Sequence, residues 1–111
     1  MYQLLHGTPG HVQLRQEGDQ FEPLFDYLVE YFHDAVNHTA YYGDIDQFLT
    51  HQDWLKHVKE CFYELEPEGV FRQSYQGCQV KGWLTAAGHY HLRLAYPGIQ
   101  GECYWYIIWW D

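Results

Sequence analysis

The hydrophobic positions in the first part of the chain follow a helical period. Within residues 21–38, apolar side chains recur at spacings of three and four and form one broad stripe on a helical wheel. A second stripe of the same period covers residues 53–65 and ends at the Pro- and Gly-containing segment 66–69. The pattern predicts two amphipathic helices, each with one face in a core.

After Gly69 the period changes from helical to alternating. Four segments separated by turn signals predict strands over residues 70–76, 78–85, 89–96 and 102–110. Their short connections are typical of an antiparallel meander. We therefore expect an α+β fold with two helices packed on one face of a four-stranded antiparallel sheet, the helices first and the meander last. Residues 2–5 and 12–14 allow an extra short N-terminal strand.

The predicted last strand is apolar on both of its faces. Alternation directs one set towards the helices: Cys103, Trp105, Ile107 and Trp109. The opposite set is Tyr104, Tyr106, Ile108 and Trp110. Two helices cannot cover both sets. The N-terminal segment could fold over the second set, the set could line a ligand cavity, or it could meet another protein. We favour a homodimer interface, because large bare apolar patches are rare in monomers and two-fold dimers are the commonest oligomers.

Length and composition predict a single domain spanning residues 1–111. Hydrophobic residues make up 47% of the chain and aromatic residues 20%, which favours a folded core that does not depend on disulfides. The domain divides into an acidic, mainly helical part (1–69) and an aromatic β-meander (70–111).

The net charge of -9 is concentrated in the first part of the chain. Residues 1–69 carry 13 acidic and 3 basic residues. Such an excess repels nucleic acid and anionic membranes, so neither is expected as a partner. Glu22, Asp26 and Glu30 lie four residues apart and would form a line of carboxylates on the outer face of the first helix. This line suits a basic protein partner, although a solvated helix face has the same appearance.

A second candidate site lies on the polar face of the predicted sheet, where aromatic and basic residues alternate. Its members are Trp83, His89, His91, Arg93, Tyr104 and Tyr106. Aromatic and cationic side chains on one sheet face suit a small planar or anionic ligand. The same composition is compatible with an ordinary half-solvated sheet.

His89 and His91 are two residues apart, so on a regular strand both imidazoles would project to the same side. This spacing suits two ligands of one metal ion, with Glu102 as the nearest acid for a third ligand. The adjacent Arg93 disfavours a cation. We therefore expect no metal and no other cofactor.

No nucleophile, base and orienting group occur in a known order, so the sequence favours a binding protein over an enzyme, with no catalytic residue assigned. The three cysteines form no Cys-x-x-Cys pair. There is no signal-peptide pattern, and no apolar run approaches the ~18 residues of a membrane span. These features predict a cytoplasmic protein with reduced thiols.

The sequence thus predicts a small acidic, non-enzymatic binding protein, homodimeric through an aromatic sheet surface, which neutralises or regulates a basic protein. The alternative is a small-molecule-binding protein or enzyme with a pocket on the aromatic sheet face near His89, His91 and Arg93.

Overall fold

The computed structural model describes residues 1–37, 45–98 and 101–110. They form an α+β fold in which a hairpin precedes two helices and four further strands follow. The elements are β1 (Tyr2–Thr8), β2 (His11–Gly18), α1 (Phe21–Asn37), α2 (Ile45–Tyr63), β3 (Val70–Tyr75), β4 (Cys78–Leu84), β5 (Tyr90–Gly98) and β6 (Gly101–Trp109).

All six strands belong to one antiparallel sheet with the order β2-β1-β6-β5-β4-β3. The expectation of a four-stranded sheet with the helices first is therefore wrong. The four strands of the meander lie within two residues of their predicted bounds. The N-terminal hairpin adds two strands beside β6, which becomes an interior strand rather than an edge.

The hairpin gives a weak sequence signal for physical reasons. Strand β2 is an edge strand, and its residues His11 to Glu17 are all exposed, so it has no buried positions to produce a hydrophobic pattern. The register between β1 and β2 also shifts between Leu4 and Leu5, which interrupts simple alternation. The chain turns between the strands at Gly10, whose φ of 84° favours glycine.

Pairing between β1 and β6 joins the two ends of the chain. It runs from Tyr2 opposite Trp109 to Gly7 opposite Tyr104. Beyond the ladder, the amide of Trp110 donates to the carbonyl of Met1 at 2.8 Å. The N-terminal segment therefore lies beside the last strand in the plane of the sheet and does not fold over its second face.

Both helices pack on the same face of the sheet. The apolar stripe of α1 is buried there through Phe21, Leu24, Phe25, Leu28 and Val29. The helix α2 begins at Ile45, eight residues before its predicted start, and buries Leu55, Val58 and Phe62. The predicted stripe positions Phe32, Ala35 and Val36 lie outside the described side chains.

The helices meet the sheet through an aromatic cluster around Phe62. The ring centroid of Phe62 lies 4.8 Å from that of Phe21 and 4.9 Å from that of Phe71. Opposite these rings, β4 has a glycine at position 82. A Cβ atom built at Gly82 would lie 2.8 Å from Cζ of Phe62 and closer still to the ring of Phe71. The close approach of helix and sheet thus requires the absence of a side chain here.

We expect Gly82→Ala to lower the free energy of unfolding by about 1–3 kcal/mol, because the added methyl group would displace the rings of Phe71 and Phe62 from their packed positions. Gly18→Ala is the matched control, since a Cβ atom at Gly18 meets nothing within 4 Å. Urea denaturation of both variants measures the effect. Equal stability of the two variants would contradict the close packing at Gly82.

Candidate functional site

The sheet has one covered and one uncovered face. Backbone alternation and strand register place the helices on one side, and within the described part of the chain nothing packs on the other, which we call the open face. Side chains on the open face include Leu5, Val12, Leu14, Val70, Arg72, Lys81, Trp83, His91, Arg93, Tyr104, Tyr106, Ile108 and Trp110.

The last strand contributes the aromatic centre of the open face. Its helix-side residues Trp105 and Ile107 are buried, at 1% and 0% exposure. On the other side Tyr104, Tyr106 and Ile108 are partly exposed, and Trp110 is 55% exposed. The structure therefore leaves the second face of this strand uncovered by any described residue.

The rings of Tyr104 and Tyr106 stack on one another with centroids 5.6 Å apart. The Tyr104 hydroxyl donates a hydrogen bond to Glu102 at 2.7 Å. That hydrogen bond raises the pKa of Tyr104 above its usual value, with a smaller contribution from loss of hydration. Tyr104 is thus fixed by its stack on Tyr106 and by its hydrogen bond to Glu102.

The hairpin extends this surface to the edge of the sheet. Leu14 lies opposite Leu5, and Leu5 lies opposite Tyr106, so the three side chains form a continuous row. Val12 and Leu14 are 43% and 49% exposed. We call Leu5, Val12 and Leu14, together with Tyr106, Ile108 and Trp110, the apolar half of the open face. Sequence reasoning missed the hairpin contribution, although the alternation of Val12 and Leu14 is visible in the sequence.

The other half of the open face is basic. Arg72 on β3 lies directly opposite Lys81 on β4, which lies opposite Arg93 on β5. We call these three residues the basic row. No carboxylate within the described residues forms an ion pair with any of them. Of the three, only Arg93 was among the predicted site residues.

Trp83 and His91 form a stack next to the basic row. Their ring centroids are 5.2 Å apart with planes 15° from parallel, and the Lys81 ammonium lies 5.3 Å from the Trp83 centroid. Burial lowers the pKa of His91, and the neighbouring His89 lowers it further. His91 is therefore held neutral against the indole.

His89 and His91 contact different aromatic residues: His91 stacks on Trp83, and His89 stacks on Trp109. The His89 ring stacks on Trp109 at 3.9 Å and contacts Tyr2 edge-on at 6.3 Å, and both partners belong to the helix-packed face. The chain is still leaving its turn at His89, since β5 begins at Tyr90. The two predicted imidazoles thus stack on different indole rings, and the described residues include no group of three or more His, Cys, Asp or Glu that could hold a metal ion.

The predicted carboxylate line on α1 is partly occupied from within the chain. Lys59 of α2 pairs with Glu22 at 2.9 Å and with Asp26 at 2.8 Å, and Tyr63 donates a hydrogen bond to Glu22. Hydrogen bonds from Lys59 and then Tyr63 lower the pKa of Glu22. Glu30 remains exposed. Less negative charge is left for a basic partner than the sequence implies, and these exposed pairs add little stability.

A cluster of polar side chains on the helix-packed face could not be predicted from any motif or periodicity in the sequence. His6 is hydrogen-bonded through Nε2 to the hydroxyl of Tyr96, and its ring stacks on Trp105 at 4.2 Å. Burial, together with the charge of Arg15, lowers the pKa of His6 to about 4. Trp105 Nε1 is buried and has no hydrogen-bond partner among the described groups. Only the pairing of β1 with β6 brings these residues together.

Comparisons with protein-family models, with curated proteins and with solved structures find no match. In the described part of the chain, neither helix is long and apolar enough to cross a membrane.

We expect His6 to make folding stability depend on pH. Its folded pKa of about 4 lies below the ordinary value of 6.5, so the neutral ring stabilises the fold above pH 6.5. This stabilisation decreases as the pH falls from 6.5 towards 4, by at most about 1.4 kcal/mol per pH unit. Denaturation curves across this range should be less steeply pH-dependent for His6→Gln than for the wild type. Parallel pH profiles would show that His6 titrates normally.

Proposed function

We propose that the protein is a non-enzymatic binding protein that acts as a homodimer, with the apolar half of the open face as the dimer interface. The observation that carries this proposal is the exposure of apolar side chains along neighbouring strands of one sheet face. Val12, Leu14 and Trp110 are each 43% exposed or more. Contiguous apolar surface of this kind on a soluble domain typically marks an interface.

The composition of the apolar half supports a protein partner. Tyrosine and tryptophan bury a large area while their polar edges reach water or a hydrogen-bond acceptor, and both are enriched at interfaces. Tyr106 and Ile108 lie on an interior strand, so their backbone is fixed by ladders on both sides. Little conformational entropy would be lost when such a rigid surface binds.

The position of the basic row favours one of the two possible orientations of a second copy of the chain on this face. A two-fold axis parallel to the strands, passing through the apolar half, would place the two basic rows at opposite ends of the dimer. An axis perpendicular to the strands would bring them face to face, where like charges repel. A symmetric dimer on the apolar half is thus compatible with the charge distribution of the whole face.

Binding rather than catalysis is supported by the arrangement of the titratable groups. His91 lies flat on Trp83, and the Tyr104 hydroxyl donates a hydrogen bond to Glu102. Both groups are engaged in contacts that hold them neutral. Neither forms a hydrogen-bonded pair with a nucleophile within the described residues.

A reducing compartment, with the cytoplasm as the simplest choice, is part of the proposal. Cys61, Cys78 and Cys103 are all free thiols. Cys78 is fully buried, and burial raises its pKa to about 12, so its thiol is protonated and unreactive. Free cysteines are the usual state in that environment.

Leu14→Glu should convert the dimer to a monomer, because it buries an unpaired carboxylate in the proposed interface. Val70→Glu is the matched control: Val70 is equally exposed, at 52% against 49%, and lies on the same face but on the opposite edge strand. Multi-angle light scattering at several concentrations measures the mass. A monomeric wild type, or equal loss of dimer in both variants, would remove the apolar half as the interface.

A further inference from the structure

We propose that the basic row and a depression beside it form a binding site for a small ligand that carries two adjacent phosphate groups. The depression has a volume of about 330 Å³, within the range of small-molecule sites. Its lining on the open face consists of Arg72, Lys81, Arg93, Ser74, Gln79 and Ala95.

The depression follows from side-chain size in two adjacent rows. Ser74, Gln79 and Ala95 lie opposite one another on β3, β4 and β5. Each is two residues from a member of the basic row, so the three form the next row on the same face. Ser74 and Ala95 are short, so they form a low floor beside the long basic side chains. Ser74 and Gln79 also present hydrogen-bond donors to this space.

The charges of the basic row are not balanced within the described part of the protein. Like charges directly opposite in a sheet are destabilising, and here two such pairs follow in succession, Arg72 with Lys81 and Lys81 with Arg93. Glu102 lies on the same face but opposite Pro97, four residues along β5 from Arg93, and it forms no ion pair with the row. A bound anion would replace this repulsion with charge-assisted hydrogen bonds.

The spacing of the row suits two phosphate groups better than one. Neighbouring strands are ~4.8 Å apart, so the outer members of the row start about 10 Å apart. One phosphate group can bridge two adjacent cations. A diphosphate extends further along the row and can contact both arginines, whose planar guanidinium groups bind phosphate through paired hydrogen bonds.

The acidic helices do not cancel this local charge. The helices, whose described carboxylates are exposed, pack on the face of the sheet opposite the basic row, and a helix is ~10 Å across. Charges separated by more than a Debye length of about 8 Å are largely screened at physiological salt. The overall net charge of -9 therefore does not describe the field at the open face.

The basic row and the apolar half lie on different strands, β3–β5 and β2, β1 and β6, and they meet where Arg93 lies opposite Tyr106. Leu14 is on the edge strand farthest from the basic row. Leu14→Glu should leave ligand binding unchanged, so failure of one proposal can be distinguished from failure of the other.

The test is calorimetric titration of the full chain with sodium pyrophosphate, in buffers matched for ionic strength with sodium chloride. We expect wild-type protein to bind, and Lys81→Gln to bind at least about tenfold more weakly, because it removes the central charge of the row. Lys56→Gln is the matched control, since Lys56 is an exposed lysine on α2. Arg93→Gln should reproduce the loss, and circular dichroism checks that each variant is folded.

Further titrations identify the chemical class. Inorganic phosphate should bind more weakly than pyrophosphate, and a nucleoside diphosphate should bind at least as tightly as pyrophosphate. The proposal is overturned if wild-type protein shows no binding beyond the chloride control, or if Lys56→Gln loses as much affinity as Lys81→Gln. Tighter binding of an oligoaspartate peptide than of pyrophosphate would also overturn it, because carboxylates would then be the preferred anion.

Discussion

The antiparallel pairing of β1 with β6 is the interaction on which the rest of the structure depends. It makes one sheet out of an N-terminal hairpin and a C-terminal meander, and it moves β6 from an edge to the interior. With ladders on both sides, β6 presents Trp105 and Ile107 to the helices, where both are buried. The same pairing brings His6 beside Trp105. An apolar strand of this kind is suited to an interior position and would be an aggregation hazard at an edge.

A single layer of two helices on a six-stranded sheet leaves the two faces with different chemistry. Apolar and aromatic residues fill the helix side, where Gly82 permits Phe62 to approach the strand closely. The open face divides into an apolar half beside the hairpin and a basic row beside β3. On the outer surface of the helices, Lys59 joins α1 to α2 through Glu22 and Asp26. These paired carboxylates and the cations of the basic row thus lie on opposite sides of the sheet.

Local periodicity was enough to predict both helices and the four strands of the meander, because each has buried positions at a regular spacing. The hairpin was uncertain, because the edge strand β2 buries almost nothing and β1 contains a register shift. The residues of the candidate site were likewise predictable where they depend on local alternation and not where they depend on long-range strand pairing. Alternation placed Tyr104, Tyr106 and Ile108 on one face, whereas the partners of that face from β1 and β2 depended on long-range pairing. His89 precedes the first residue of β5, where strand alternation does not fix the direction of a side chain, and its ring packs on Trp109.

The sequence separation within the central ladder has a consequence for how the chain folds. The backbone of Met1 is hydrogen-bonded to Trp110, 109 residues away. The β1–β2 hairpin therefore has no neighbouring strand until β6 has emerged from the ribosome, and an isolated two-stranded hairpin is at best marginally stable. Contacts between residues so far apart in the sequence slow folding, because the chain entropy of closing the loop is lost before the ladder forms. The helices and the meander, whose contacts are more local, are expected to assemble first and to act as the template on which the hairpin docks.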